Sequence, residues 1–284
     1  MSRNLPETIY SPESQLLSPR TLFGAMHADL HACRFLAWRL FVRNLAAQHR
    51  KSVIGYMWLL LAPLAQTLLW VFLNSQKVIN VGATEIPYPA FVLTGTLLWQ
   101  GVADSMQSII QQIKGNGQML TKIHFPHEAI MLASLGQVLV NLVIRLLLMI
   151  GVYLWFGLPL TKTLLLAPLG LLALIAFGMM VGLLLTPLAL LYDDVQKMLG
   201  MALSLLFFLT PVIYPTPTGG WAALLTKLNP ITPLLVTTRQ WLTGVAPTQL
   251  GAFAVVVALT MFLGLFSWVV YRLAMPHLIE RIGS

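Results

Sequence analysis

The chain has 284 residues, of which 57% are hydrophobic and only 9% are charged, and its formal net charge is +8 at pH 7. An average soluble domain is about 25% charged, so a water-soluble fold of this length could not bury so much apolar surface. The composition therefore indicates an integral membrane protein. The positive charge fits this class, because basic residues at membrane ends are retained on the cytoplasmic side. The single cysteine, Cys33, excludes an intrachain disulfide.

The N-terminal segment, residues 1–28, is predicted to be a flexible cytoplasmic tail. Pro6, Pro12 and Pro19 interrupt it, and prolines are poorly tolerated inside helices. Residues 1–52 are polar and lack an early apolar stretch, so they contain no signal peptide. Insertion into the membrane is expected to begin with an internal span.

Residues 29–52 are predicted to form an amphipathic helix in the membrane interface. At 100° per residue, Phe35, Trp38, Phe41, Val42 and Leu45 share one broad face. The basic residues lie opposite or at the end of the helix: Arg39, Arg43, Arg50 and Lys51. This pattern is typical of a helix lying in the membrane surface, and the alternative is an ordinary solvated helix that precedes the first span.

The remaining chain indicates an all-α membrane protein with six transmembrane helices, since each span needs roughly 20 mainly apolar residues. The predicted spans are about 53–73, 89–111, 129–156, 163–191, 198–213 and 248–271. Between the last two, residues 214–247 contain too many prolines and glycines for one straight helix but are still apolar. They are predicted to form short re-entrant helices, and residues 273–284 a cytoplasmic tail.

The distribution of basic residues predicts that both ends of the chain are cytoplasmic. With this orientation, twelve Lys and Arg residues fall on the cytoplasmic side and four fall outside, namely Lys77, Lys162, Lys227 and Arg239. This excess agrees with the rule that cytoplasmic segments carry more positive charge. An odd number of spans would break the agreement.

Motifs for covalent chemistry are not found in the sequence. No GxxxxGK[ST] loop is present to hold nucleotide phosphates. His124 and His127 flank Pro126, so one continuous helical face is not expected to carry them to a metal ion. Asp193 and Asp194 could suggest the paired acids of a glycosyltransferase, but adjacent side chains on a helix diverge by about 100° and a turn explains them better. The prediction is a chain without catalytic residues, metal or cofactor of its own.

Three segments in order resemble the membrane subunit of type-2 ABC exporters for O-antigen, teichoic acid and capsular polysaccharides. They are Arg50, Lys51, Gly55, Tyr56, Trp58 and Pro63 at the first span; Asn116, Leu120, Lys122, Phe125 and Pro126 after the second; and Asp193–Asp194 through Pro211–Pro215 to Asn229–Pro230. Together they cover roughly residues 35–275. The family often has Arg-Asp at the acidic turn, whereas this chain has Tyr192 before Asp193, so an ion pair using that arginine is absent or replaced by Lys197.

The resemblance implies a transmembrane domain of the type-2 ABC class over residues 53–272, working as a homodimer with two copies of a separate ATPase that holds ATP and Mg²⁺. It also implies that residues 112–126 form a coupling helix docked in a groove of the ATPase. The residues expected at this contact are Lys114, Asn116, Leu120, Lys122, Phe125 and Pro126. The alternative is that the segment is an ordinary loop.

Two groups of residues are candidates for the translocation path. Asp104 and Arg145 are ionisable residues predicted within the membrane, where each must be paired or wetted. One hypothesis is that both side chains face a water-accessible conduit or each other. The alternatives are that they form a purely structural ion pair, or that Asp104 lies near the cytoplasmic end of its helix. The aromatic candidates are Tyr56, Trp58, Trp99, Tyr214 and Trp221. Their rings offer stacking faces and polar handles that suit sugars.

The expected function is the permease half of an inner-membrane ABC exporter that moves a lipid-linked polysaccharide outward, with residues 214–247 gating the outer side. One alternative is a type-2 ABC exporter of a drug or small lipid, although those usually have a larger external loop after the first span. The other is a polyprenyl-phosphate glycosyltransferase, which would need a polar cytoplasmic loop rich in acids and histidine. Membrane lipid is an expected partner and nucleic acid is not.

Overall fold

The computed structural model describes residues 19–49, 54–79, 81–122, 125–159 and 161–283, and all the regular secondary structure within these ranges is helical. The α-helices are α1 (Pro19–Ala32), α2 (Arg34–His49), α3 (Trp58–Ser75), α4 (Tyr88–Gly115), α5 (Gly117–Lys122), α6 (Glu128–Phe156), α7 (Ala167–Leu191), α8 (Asp193–Leu209), α9 (Gly220–Leu228), α10 (Ile231–Thr243) and α11 (Leu250–Gly283). Short 3₁₀ helices, Gly55–Met57 and Lys162–Leu166, lead into α3 and α7.

Within the described residues, four helical stretches are long and apolar enough to cross a bilayer. They are Gly55–Ser75, Glu128–Phe156, Lys162–Leu191 and Leu250–Ile279. They correspond to the predicted spans 53–73, 129–156, 163–191 and 248–271. The multi-pass membrane class predicted from composition is thereby supported.

The other two predicted spans correspond to helices of a different character. α4 has 28 residues, but it carries Asp104 and Lys114 and buries most of its middle in protein. α8 has 17 residues and begins with two acids. Neither is among the helices that qualify by length and apolarity. The count of six spans and the re-entrant helices stay predictions.

The predicted flexible tail over 1–28 is helical from Pro19 onward, which corrects the expectation from sequence. α1 begins at Pro19, and the predicted single helix over 29–52 is instead α1 followed by α2, with the break at Cys33. Proline is compatible with the first turn of a helix because that N–H has no intrahelical acceptor. At the other end α11 runs on to Gly283 past Pro276, since extending a formed helix costs much less than nucleating one. Residues 1–18, Arg50 and Lys51 lie outside the described part of the chain.

α4 forms the centre of the bundle and packs against α3, α6, α7 and α10. Glycines allow the closest of these approaches. A Cβ added at Gly178 on α7 would lie 2.5 Å from the Cβ of Ser105, and one at Gly182 would lie 2.5 Å from the carbonyl oxygen of Met106. Small residues spaced four apart let two membrane helices pack backbone against backbone. The central contact is therefore rigid.

The antiparallel helices bring their ends together at two faces of the bundle. The α5 end contains α1, α2, α5, the last turns of α4 and α11, and the starts of α6 and α8. The α10 end contains residues 76–79 and 81–87, the end of α6, the start of α7, residues 210–219, α9 and α10. At the α10 end, Gln240 Nε2 donates to Glu85 Oε1 at 3.2 Å, which joins α10 to the connection between α3 and α4.

Candidate functional site

The predicted coupling segment forms a short helix at the α5 end. α4 ends at Gly115, Asn116 makes the turn, and α5 follows directly. The side chains of Asn116 and Leu120 are buried, whereas Lys122 at the end of α5 is exposed. Phe125 and Pro126 are half-buried. One side of α5 is thus fixed to the bundle while its last residue faces outward.

Side-chain hydrogen bonds connect α2 to this turn. The Arg43 guanidinium donates to Asn116 Oδ1, and also to Asn44 Oδ1 at 3.0 Å. Asn44 Nδ2 donates in turn to Gln112 Oε1 on α4. A guanidinium has several donors in a fixed plane, which lets it hold two acceptors on different elements. The interface helix and the coupling segment, predicted separately from sequence, are therefore one connected unit.

An ion pair connects the same turn to α8. Lys114 Nζ lies 2.6 Å from Asp193 Oδ1, and Lys197 pairs with Asp194 at 3.1 Å within α8. The hydrogen bond from Lys114 and its positive charge lower the pKa of Asp193. Asp193 is also the first residue of α8, where a carboxylate is favoured by the helix dipole. The sequence predicted Lys197 as the partner of the acidic turn but missed Lys114.

Arg272 on α11 ties together three helices at the α5 end. Its two terminal nitrogens contact Asp29 of α1 at 2.6 Å and Glu128 of α6 at 2.7 Å. The neighbouring Tyr271 hydroxyl donates to the carbonyl oxygen of His127 at 3.1 Å. Sequence reasoning missed Arg272 and Glu128, and only their position at helix ends could have pointed to them. They anchor α1 beside the start of α6.

Asp104 and Arg145, the two predicted membrane ionisable residues, contact each other. Arg145 Nη2 lies 2.6 Å from Asp104 Oδ2, and Asn141 Nδ2 donates to the same oxygen at 3.0 Å. The Arg145 side chain is only 5% exposed, while that of Asp104 is 32% exposed. Burying a charge requires a partner, and this pair supplies it. Their contact is established; a role in translocation stays a prediction.

A polar cavity of about 470 Å³ lies beside α4, between it and α2, α3 and α6. Asp104 marks one end of the stretch of α4 that lines it, and Asn116 marks the other. Most of the other lining groups are carboxamides, from Asn44, Gln107, Gln111, Gln112, Gln137 and Asn141. The sequence predicted Asp104 and Asn116 for different roles, whereas the structure brings both to one cavity.

The α10 end is held by a buried arginine. Arg239 of α10 is 3% exposed, and its Nη1 donates to the carbonyl oxygens of Pro211 at 2.9 Å and Val212 at 3.3 Å. Its guanidinium carbon lies 3.8 Å from the centre of the Phe91 ring, a cation–π contact. The charge count placed Arg239 on the outer side of the membrane, which stays a prediction, and the structure adds that its side chain is inside the protein.

The predicted aromatic path residues occupy different environments. Trp58 is 57% exposed and Trp221 is 81% exposed, while Tyr56 is half-buried. Tyr214 donates its hydroxyl to the carbonyl oxygen of Phe208 at 2.7 Å. Trp99 is 6% exposed and packs edge-on against Phe207, with ring centres 5.9 Å apart. Trp99 is therefore part of the interior of the chain, and the others lie nearer its surface.

α2 presents an apolar stripe away from the bundle. Phe35, Trp38 and Val42 are exposed, and the guanidinium of Arg39 lies 5.1 Å from the Phe35 ring centre. Residues Ala37 and Leu40 of the same helix are buried. An exposed stripe of this kind with basic residues beside it is typical of a helix in a membrane interface.

Comparison with known proteins gives a family match over most of the chain. A family model described as ABC-2 type transporter matches residues 36–242. An "O-antigen export system permease protein RfbA" of Myxococcus xanthus is 29% identical over 211 residues, which are 73% of this chain and 80% of that protein. A protein of the same description from Klebsiella pneumoniae is 24% identical over 174 residues, 61% of this chain and 66% of that protein. The family match runs from α2 to α10, so it includes the cavity and the hydrogen bonds that join α2 to the turn before α5.

Proposed function

Because this chain belongs to the ABC-2 type transporter family, we propose that it is the permease subunit of an ATP-driven exporter that moves a lipid-linked polysaccharide of the O-antigen class across the inner membrane. The observation that carries this proposal is the similarity to O-antigen export permeases over most of the chain. ATP and Mg²⁺ are held by a separate ATPase, and this chain contributes the membrane passage. Two copies of the chain form that passage.

The α5 end faces the cytoplasm in this proposal. Among the described residues, its cations include Arg20, Arg34, Arg39, Arg43, Lys114, Lys122, Lys197, Arg272 and Arg281, whereas the exposed cations of the α10 end are Lys77, Lys162 and Lys227. Positive charge is retained on the cytoplasmic side of membrane proteins. The apolar stripe of α2 then rests on the cytoplasmic leaflet, and both chain ends lie on that side.

α4 and α8 complete six spans. α4 is about 42 Å long at 1.5 Å per residue, which exceeds a hydrocarbon layer of about 30 Å. Its polar residues are tolerated because most of its length is surrounded by protein. Every residue of α10 is buried, as a re-entrant helix must be when irregular backbone lies at membrane depth.

The ATPase acts on the membrane bundle through α5. Closure of the ATPase subunits displaces α5, and three contacts transmit the displacement as rigid-body motion. The Arg43–Asn116 bond carries it to α2, the Asn116 turn to α4, and the Lys114–Asp193 pair to α8. α8 leads directly into residues 210–219 at the outer end, which respond as the gate.

The second copy of the chain packs against α3 and α8. Both helices expose large apolar side chains, and Trp70 of α3 contacts Phe208 of α8 edge-on, so the two helices present one continuous surface. The exposed residues of this surface are Leu61, Leu68, Phe72, Met198, Met201 and Leu205. Trp58 and Tyr56, at the cytoplasmic start of α3, then lie beside the passage between the copies.

The proposal is tested by deletion and complementation in the host cell. Deleting the gene is expected to remove the long-chain glycan from the cell surface, while the lipid-linked glycan accumulates inside the cell. Expression of the wild-type chain is expected to restore export. Lys122→Glu is expected to reduce co-purification of the ATPase about tenfold, a change of about 1.4 kcal/mol at the docked helix. Lys227→Glu, exposed on α9 at the other end, is the matched control and leaves co-purification unchanged.

Normal surface glycan in the deletion strain would overturn the proposed substrate. Equal recovery of the ATPase with Lys122→Glu and Lys227→Glu would overturn docking at α5.

A further inference from the structure

The cavity beside α4 has a chemistry that the transport proposal does not use. We infer that it is a binding site for neutral sugar units of the exported glycan, filled from the cytoplasmic side before translocation. This inference rests on the proposed function for the identity of the cargo. The volume of about 470 Å³ falls in the range of small-molecule binding pockets, about 300–1,000 Å³.

The cavity wall is polar but electrically balanced. Among the described residues that line it, Asp104 is the one charged side chain, and the Arg145 guanidinium 2.6 Å away compensates that charge. The described lining residues include no lysine or arginine, although Arg43 and Lys114 are close in sequence to some of them. Lys114 is paired with Asp193, and Arg43 donates to the carboxamide oxygens of the wall residues Asn116 and Asn44. A diphosphate group needs cations or helix N-termini, so this wall favours an uncharged polar ligand.

Carboxamides are suited to sugars because each one both donates and accepts hydrogen bonds, as does each sugar hydroxyl. Gln107, Ser108 and Gln111 line the cavity from successive turns of α4, and Gln137 and Asn141 face them from α6. Gln137 is 6% exposed, and its Oε1 atom is buried without a hydrogen-bond partner. A buried acceptor without a partner costs free energy until a ligand or water donates to it. A sugar hydroxyl supplies that donor.

The position of the cavity connects sugar binding to the coupling segment. From Asp104 to Asn116 the lining stretch of α4 is about 18 Å long, so the cavity runs from the middle of the helix to the turn before α5. Asn44, Gln112 and Asn116 belong both to its wall and to the network that joins α2 to α5. A sugar in the cavity therefore contacts the elements that the ATPase displaces.

Direct binding is tested with the full-length purified chain in lipid nanodiscs. The probes are neutral tetrasaccharides of mannose, galactose and N-acetylglucosamine, observed by saturation-transfer difference NMR, with inorganic pyrophosphate as competitor. At least one tetrasaccharide is expected to show transfer that falls at least fivefold in Gln107→Leu and in Gln137→Leu. The matched control, Gln76→Leu, changes an exposed glutamine outside the cavity and leaves the transfer unchanged.

A second measurement covers the case in which a leucine variant fails to fold. Gln111→Cys introduces one exposed thiol at the cavity, where a maleimide can react. The native Cys33 contributes little background, because it is 2% exposed and burial raises its pKa to about 11. The bound tetrasaccharide is expected to slow labelling of Gln111→Cys at least threefold.

The outcomes separate this inference from the transport proposal. Transfer that is equal in the wild-type chain and the cavity variants, or labelling that no tetrasaccharide slows, overturns the cavity as a sugar site, even when deletion of the gene still abolishes export. Displacement of the tetrasaccharide by pyrophosphate overturns the neutral character of the ligand. The remaining outcome combines two results: the purified chain binds the sugar with all these controls passed, and the deletion strain still exports its glycan normally. That combination supports the site and overturns the proposed cargo.

Discussion

The two ends of the bundle are held together by different kinds of contact. At the α5 end, helices are joined by side chains that keep some exposure, such as Lys114 with Asp193 and Arg272 with Asp29. At the α10 end, Arg239 is almost fully buried and donates to main-chain carbonyl oxygens. Water can replace contacts of the first kind at little cost, whereas it cannot reach the second. Breaking a contact therefore costs less free energy at the α5 end than at the α10 end.

The strongest test of this comparison is Arg239→Met, which keeps the side-chain length and removes the donors. The carbonyl oxygens of Pro211 and Val212 then lose their partner, and each unsatisfied buried acceptor costs about 1–3 kcal/mol. The expected result is loss of most folded protein, measured by fluorescence-detection size-exclusion chromatography after heating in detergent. Lys227→Met at the same end is the control and is expected to behave as the wild type. A stable Arg239→Met chain would show that the α10 end does not depend on this arginine.

A close backbone approach gives the next largest effect. A Cβ at Gly95 on α4 would overlap the carbonyl oxygen of Val212, and a backbone atom cannot move aside as a flexible side chain does. Gly95→Ala is expected to lower stability by about 3 kcal/mol, seen as a lower midpoint of thermal unfolding. Gly151→Ala on α6, where a Cβ meets nothing within 4 Å, is the matched control and is expected to be neutral or slightly stabilising. Equal midpoints for the two variants would argue against tight packing at the α10 end.

How much of the fold could be predicted from the sequence depends on how far apart in the chain the interacting residues lie. Long uncharged stretches predicted four helices that the structure confirms as candidate spans, since apolarity over about 20 residues is a property of one segment. The prediction of a flexible tail over 1–28 was wrong from Pro19 onward, because proline is compatible with the first turn of a helix. α11 continues beyond the predicted end of the last span at residue 271, because the following residues extend a helix that is already formed.

The candidate site was predictable only in its parts. The sequence named Arg43 and Asn116 for two separate roles, and their hydrogen bond spans 73 positions of the chain. Lys114 and Asp193 are 79 positions apart, and Arg272 and Glu128 are 144 positions apart. No local pattern encodes such pairs, because they depend on which helices become neighbours. Asp104 and Arg145 were the exception, since two ionisable residues in neighbouring spans need partners and few are present.

At the α5 end, Arg272→Gln is expected to have a moderate effect. Glu128, whose side chain is 4% exposed, would lose its cationic partner, although a glutamine retains one donor. Arg272 is 16% exposed, so water partly replaces it, and the expected loss is about 1–2 kcal/mol. Lys197→Gln, which breaks a fully solvated pair on α8, is the control with no measurable change in the unfolding midpoint. A loss as large as that of Arg239→Met would erase the contrast between the two ends.

The smallest effect on stability and the most selective effect on transport are expected at Lys114 and Asp193. The pair is exposed, so Lys114→Asp and Asp193→Lys should leave the unfolding midpoint unchanged. Each is expected to reduce glycan export in cells, because two like charges then separate α4 from α8, and the double exchange should restore export.

The lowered pKa of Asp193 fixes the sign of the pH dependence: the ion pair is intact above the ordinary aspartate pKa of about 3.9 and is lost as the pH falls through the lowered value. Titration of this pair should therefore cause no change in the ATPase coupling of the purified complex between pH 6 and 8, which is roughly two units or more above that pKa. Export that is reduced equally in the double exchange would mean that the residues act separately, and that the adjustable contacts of the α5 end do not include this one.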